Sequence, residues 1–260
     1  MTKSSHRFWA ILNAVVLAIV MYWNYYANAQ GINENSVGSL SREYDNLFTP
    51  SSYAFSIWGL IYIALISNAI FQIKAAFKGT YATFFDDLGP FLVFANIGNA
   101  LWIWAWLTER TGLSVLIMIA ILLSLLTAVF KLGIRSGDRS PNVIKRWVWW
   151  PISLYTGWIT VATIANVSAY LAKINWAFLM NETNWASLMI IVGGVVYLFV
   201  LSKRGMITFA LVGVWAFVAI AHKQWGLTAQ VAGMAIGVAI AISILAIVQK
   251  VKSTQLKSAI

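Results

Sequence analysis

The sequence predicts an all-α, polytopic membrane protein with eight transmembrane helices. Three observations predict it. The chain of 260 residues is 60% hydrophobic and only 10% charged, whereas a soluble domain devotes about a quarter of its residues to charge. Nearly charge-free apolar runs recur, each about twenty residues long, the length at which a helix crosses a bilayer. Lysine and arginine fall in the short segments between those runs and at both ends. Short segments of alternating hydrophobicity, the mark of a membrane β-barrel, are not visible.

The first span runs from about Phe8 to Ala27, behind a basic start of Lys3, His6 and Arg7. Ala27-Asn28-Ala29 looks like a signal-peptidase site. The apolar run is longer than a signal core, however, and ends in Tyr22, Trp23, Tyr25 and Tyr26, an interfacial aromatic belt, so a retained helix is expected. Residues 28–48 read as the longest polar loop. The stretch Thr49–Gln72 opens with a helix breaker, turns at once to aromatics and carries no charge, giving a second span over about Ser52–Ile73. An amphiphilic loop with Lys74, Lys78, Asp86 and Asp87 leads to Pro90, suited to a first helical turn.

The third span covers about Phe91–Leu107 and the fourth Leu113–Leu132, with a tight Glu109-Arg110 turn between them. The most basic loop, Lys131 to Arg146, precedes a fifth span over Trp147–Ala172. Trp185–Ser202, Met206–His222 and Leu227–Gln249 complete the chain.

Charge tests this segmentation. With the N-terminus cytoplasmic, the inside segments hold 14 of the basic residues, including Arg139 and Lys257, and the outside segments hold Arg42, Arg110, Lys173 and Lys223. The split follows the positive-inside rule at every loop. It predicts a multi-pass protein of the plasma (inner) membrane with both termini cytoplasmic. The net charge of +10 is then a matter of topology and anionic headgroups, with the lipid membrane as partner and no nucleic acid expected. The chain has no cysteine, which excludes disulfides and thiol chemistry, and its two histidines, His6 and His222, do not predict a metal site.

The spans hold essentially no ionisable residue, which disfavours proton-coupled transport. They do hold amides and aromatics, and these line up. At about 100° per residue, Asn99, Trp102 and Trp106 share a narrow arc of the third span beside Asn96, and Trp104 points the other way. Tyr155, Trp158, Ala162, Asn166 and Ala169 share a face of the fifth span, and Trp58, Tyr62, Leu65 and Ala69 a face of the second. An Asn amide in hydrocarbon needs a partner, so these faces are expected to look inward. Interhelical hydrogen bonding with Trp as filler accounts for them as well as a cavity does. As a cavity, three such faces suit a large, flat, mostly apolar ligand.

The order and spacing of these residues resemble the translocator protein family, the tryptophan-rich sensory proteins (TspO/MBR). There the second helix follows a Trp-x-Pro-Pro loop and reads aromatic-x-Phe, then Trp-x-x-x-Tyr; here Thr49-Pro50 precedes Tyr53, Phe55, Trp58 and Tyr62. Asn-x-x-Trp of the third helix is matched by Asn99 and Trp102. Trp-x-x-x-Ala-Thr-x-x-Asn of the fifth is matched by Trp158, Ala162, Thr163 and Asn166, with Tyr155 at the family tyrosine. This sequence departs from the pattern in having one proline in the loop, a Phe-to-Trp spacing one residue short, and Pro151 three residues early.

The resemblance covers roughly residues 8–175. It implies a five-helix TspO-like membrane domain over 1–175; the three additional transmembrane helices read over 176–260 have no counterpart in that five-helix family and are expected to pack on it. It also implies binding of a hydrophobic planar ligand, a porphyrin or haem, or a sterol, with a sensory or transport-assisting role. The ligand-binding set it implies is Pro50, Tyr53, Phe55, Trp58, Tyr62, Asn99, Trp102, Tyr155, Trp158, Ala162 and Asn166.

Val167, Tyr170 and Lys173 fit a proposed cholesterol motif. A belt tyrosine beside a snorkelling lysine is the plainer account of them. The alternative functions are a membrane enzyme acting on lipid or pigment, which lacks an intramembrane acid or base, and a small-solute transporter, for which Gly193-Gly194 is the only candidate helix break. Ala229, Gly233, Gly237 and Ala241 recur every fourth residue of the last span. The stripe predicts close packing against Gly193 or Gly213 inside the molecule, or else the seam of a homodimer.

Overall fold

A computed structural model describes residues 2–135, 140–176 and 180–258, the side chains to 253. Arg139 and the side chain of Lys257, both used in the charge count, lie outside the described residues. The described residues are almost all helical and contain no strand, only an isolated bridge between Ile32 and Asn35.

The elements are α1 (Lys3–Gln30), α2 (Val37–Glu43), a 3-10 turn (Ser52–Ser56), α3 (Ile57–Lys78), α4 (Ala82–Leu88), α5 (Phe91–Leu107), α6 (Thr111–Lys131), α7 (Asn142–Ile144), a π-helical segment (Lys145–Trp149), α8 (Trp150–Lys173), α9 (Glu182–Arg204), α10 (Ile207–Gln224) and α11 (Ala229–Ser258). The 28–48 stretch is thus not all loop, since α1 reaches Gln30 and α2 forms within it. The Asp86-Asp87 segment is a short helix as well.

Among the described residues six helices are long and apolar enough to cross a membrane: α1, α3 with its 3-10 lead, α6, α9, α10 and α11. A seventh span arises if α4 and α5, bent by 42° at their junction, count as one. Helix α8 has the length, 24 residues, but falls below those in apolarity. Every residue from Pro151 to Val161 is buried, so this helix faces protein and can carry threonine at no hydration cost. Thr156 and Thr163 donate to the carbonyls of Ile152 and Ile159, each at 2.7 Å, which satisfies their hydroxyls locally.

The start of α8 has a specific chemical cause. Pro151 has no N–H, so the carbonyl of Trp147 four residues back loses its helical donor. The chain widens into the π-helical segment there. The Asn68 amide of α3 donates to that carbonyl at 2.7 Å, and Gln72 donates to the Asn68 oxygen at 2.7 Å.

The described residues form two compact units. One draws on Met1–Leu40, Trp58–Ile134 and Ser140–Thr156, the other on Ser41–Ile57, Arg135–Arg139 and Gly157–Ile260. In the first, α1 packs on α5 and α5 on α6. Helix α1 buries His6, Ala10, Asn13, Leu17, Val20, Asn24 and Ala27, an alternation of four and three that keeps one stripe inward. Gly98 lets α5 approach α6 so closely that a Cβ there would stand 2.7 Å from Ile121.

In the second unit α9, α10 and α11 pack on one another. Asn181 caps α9 by accepting from the Asn184 amide at 2.8 Å, and Gly205, at φ +61°, ends it. The glycine contacts differ from the expected packing of the α11 stripe. A Cβ on Gly193 would meet Phe217 and Ile164, on Gly194 Val238, and on Gly213 the ring of Tyr197 at 2.7 Å. Gly233 and Gly237 have nothing within 4 Å of that position, and the stripe is exposed. The inward face of α11 is instead Val231, Ala235, Ala239 and Ile242.

Candidate functional site

The predicted residues fall into both units, and each group is described within its own. The first unit holds Trp58, Tyr62, Asn99, Trp102 and Tyr155. Trp58 stacks on Tyr62, one helical turn on, at 5.5 Å between ring centroids, and meets Tyr155 edge-on at 6.0 Å. Tyr155, 1% exposed, points its hydroxyl at the carbonyl of Ala95, 3.4 Å away. The Asn24 amide nitrogen stands 2.6 Å from both the Tyr62 hydroxyl and the Asn99 side-chain oxygen.

This cluster is not fully satisfied. The side-chain oxygen of Asn24 and the amide nitrogen of Asn99 are buried without a hydrogen-bond partner among the described residues. Turning both amides over exchanges the atoms and still leaves one donor and one acceptor unused. A buried amide group without a partner costs about 1–3 kcal/mol. The cluster therefore holds one unused donor and one unused acceptor beside the rings of Trp58, Tyr62 and Tyr155. Trp102 stacks on Trp106 at 5.9 Å with planes 17° apart.

In the second unit Phe55 meets Trp158 edge-on at 5.9 Å, Trp158 and Asn166 are buried, and Ala162 is half-buried. Pro50 is buried and Tyr53 is 38% exposed, its ring edge-on to Trp215 and to His222 of α10. Three hydrogen bonds fasten this stretch to α10. The Ser51 amide donates to Ala219 at 3.1 Å, the Trp215 indole donates to the Ala54 carbonyl at 3.1 Å, and the Ser51 hydroxyl pairs with His222 Nδ1 at 3.0 Å. Of the sterol-motif residues, Val167 and Tyr170 are half-buried. The Lys173 ammonium lies over the ring of Tyr44, 4.9 Å from its centroid.

The residues that sequence reasoning missed are Asn24 and the α10 trio Trp215, Ala219 and His222. Asn24 sits between the belt aromatics Trp23 and Tyr25, which masked it. The spacing Ala10, Asn13, Leu17, Val20, Asn24, Ala27 was the available signal for its inward position. The α10 contacts left no sequence signal, because pairing across more than 150 residues has no local period.

A cavity of about 580 Å³ also lies within the second unit. None of the predicted ligand-binding residues line it. It is bounded by Glu43 to Phe48, the end of α8 and the start of α9. Among the described residues no group of His, Cys, Asp or Glu could hold a metal ion.

The fold defines an integral, multi-pass α-helical membrane protein whose helices bury amides among aromatic rings. The model of the family described as TSPO-like protein matches residues 10–248, nearly the whole chain, and the chain belongs to that family. The match includes α9 and α10 and most of α11. No curated protein and no solved structure matches the chain.

Proposed function

We propose that this protein binds a hydrophobic planar ligand of the tetrapyrrole or sterol-like class and serves a sensory or transport-assisting role. The observation that carries the reading is the Asn24–Tyr62–Asn99 cluster, with one buried donor and one buried acceptor unused beside Trp58 and Tyr155. A flat ring system with polar atoms at its edge answers both needs, stacking on the rings and filling the amide valences. The cluster holds no carboxylate, imidazole or amine, which leaves it little acid–base capacity beyond its tyrosine hydroxyls and favours binding.

Protoporphyrin added to the detergent-solubilised protein is expected to quench tryptophan fluorescence saturably at sub-millimolar concentration. Trp58→Leu and Asn99→Leu are each expected to weaken that quenching about tenfold or more. Normal quenching in both variants rules out this cluster as the site.

The same reading places the protein in the plasma (inner) membrane as eight spans with both termini cytoplasmic. It also takes the exposed α11 stripe as the seam of a homodimer. Because the chain has no cysteine, Gly237→Cys supplies a single crosslinking site. Absence of crosslinked dimer from membranes argues against that seam.

A further inference from the structure

The 580 Å³ cavity of the second unit is lined by Glu43, Asp45 and Glu182 together with Tyr44, Phe48, Trp176 and Trp185. No Lys or Arg is among its lining residues. That is unexpected in a chain with 18 basic and 8 acidic residues, since three of the eight carboxylates gather at this one cavity.

The outer wall already receives two ammonium groups of the chain itself. Lys223 pairs with Asp45, and Lys173 rests on the face of Tyr44. Glu43 and Glu182 have no ion-pair partner among the described residues. Trp176 and Trp185 meet edge-to-face at 5.2 Å. The indole N–H of Trp185, a residue that lines the cavity, is buried and has no hydrogen-bond partner among the described residues, a cost removed when the ring turns its N–H onto an acceptor held in the cavity.

We propose that this cavity is a second binding site, distinct from the amide–aromatic cluster, for an amphiphilic aromatic cation that carries a hydrogen-bond acceptor. Aromatic faces attract a cation through the ring quadrupole. Carboxylates at the rim add an attraction that salt screens, because Glu43 and Glu182 are exposed. The volume admits a molecule of three or four fused or linked rings.

The test is equilibrium dialysis of the full chain in detergent with rhodamine 6G, a planar cation bearing an ester. Fluorescein ethyl ester, an anion on the same ring frame, is the control. The wild type is expected to retain rhodamine 6G at least tenfold more tightly than the control, and less tightly as salt rises. Glu43→Gln combined with Glu182→Gln is expected to weaken rhodamine 6G about tenfold at an unchanged melting temperature. Trp185→Phe, which keeps an aromatic wall and removes the N–H, is expected to weaken it several-fold. Equal retention of the two dyes, salt-independent binding, or an unchanged affinity in the carboxamide double variant overturns the proposal. Trp185→Phe keeps it testable if the double variant does not fold.

Discussion

At the scale of single residues, the buried amides do different work. Asn68 is fully buried and saturated: it caps the carbonyl that Pro151 strips of its donor, and it accepts from Gln72. Asn24 and Asn99 are buried and left half-used. A fully partnered amide and a half-used one look identical in sequence, and only the partner count separates them. Asn68→Leu is therefore expected to lower stability by about 1–3 kcal/mol, read as a lower melting temperature in detergent, because the Trp147 carbonyl loses its donor. Porphyrin quenching in that variant should survive. Tyr197 makes a comparable bond, donating its hydroxyl to the Gly157 carbonyl at 2.7 Å from a fully buried position. Tyr197→Phe is expected to cost about 1 kcal/mol by the same measurement. The sequence showed that Asn99 faces inward. It did not show Asn24, since the four aromatics around it, Tyr22, Trp23, Tyr25 and Tyr26, read as a membrane-surface belt.

Among the elements, the stretch before α3 looked like the aromatic opening of a helix, and its aromatic content was legible. Its attachment was not, because the atoms that hold it lie on α10. Trp215→Phe removes the donor to Ala54, and faster hydrogen exchange at the Ser51 and Ala54 amides is the expected result. Unchanged exchange there shows that the remaining bonds suffice. The glycines of the last three helices separate by environment in the same way. Gly213 lies against the Tyr197 ring and Gly237 against nothing. Gly213→Leu is expected to destabilise the protein by at least about 1–3 kcal/mol through overpacking. Gly237→Leu should leave the packing of the protomer unchanged, so that any loss of stability comes from the proposed homodimer seam. Both glycines sit in apolar helices with small neighbours, so no sequence pattern ranks them.

At the scale of the whole molecule, length and composition account for six spans among the described residues, and a bent helix pair counted as one makes a seventh. Reporter fusions at both termini and in each loop check the eight-span topology: both termini on the same side supports it, and opposite sides removes it. The sequence by itself determined that the chain is helical, multi-pass and membrane-embedded, because lipid requires long apolar helices and shows in composition. It also determined which faces of the second and third spans turn inward, because amides and aromatics recurred at helical spacing, whereas the fifth is buried on every side from Pro151 to Val161. Tertiary structure alone decided which amides are left unsatisfied, that α10 holds the Thr49–Ser56 stretch, that the α11 glycines face outward, and that three carboxylates meet at one cavity. Those are facts about partners distant along the chain. A helical period reports which way a side chain points, and it says nothing of what the side chain meets.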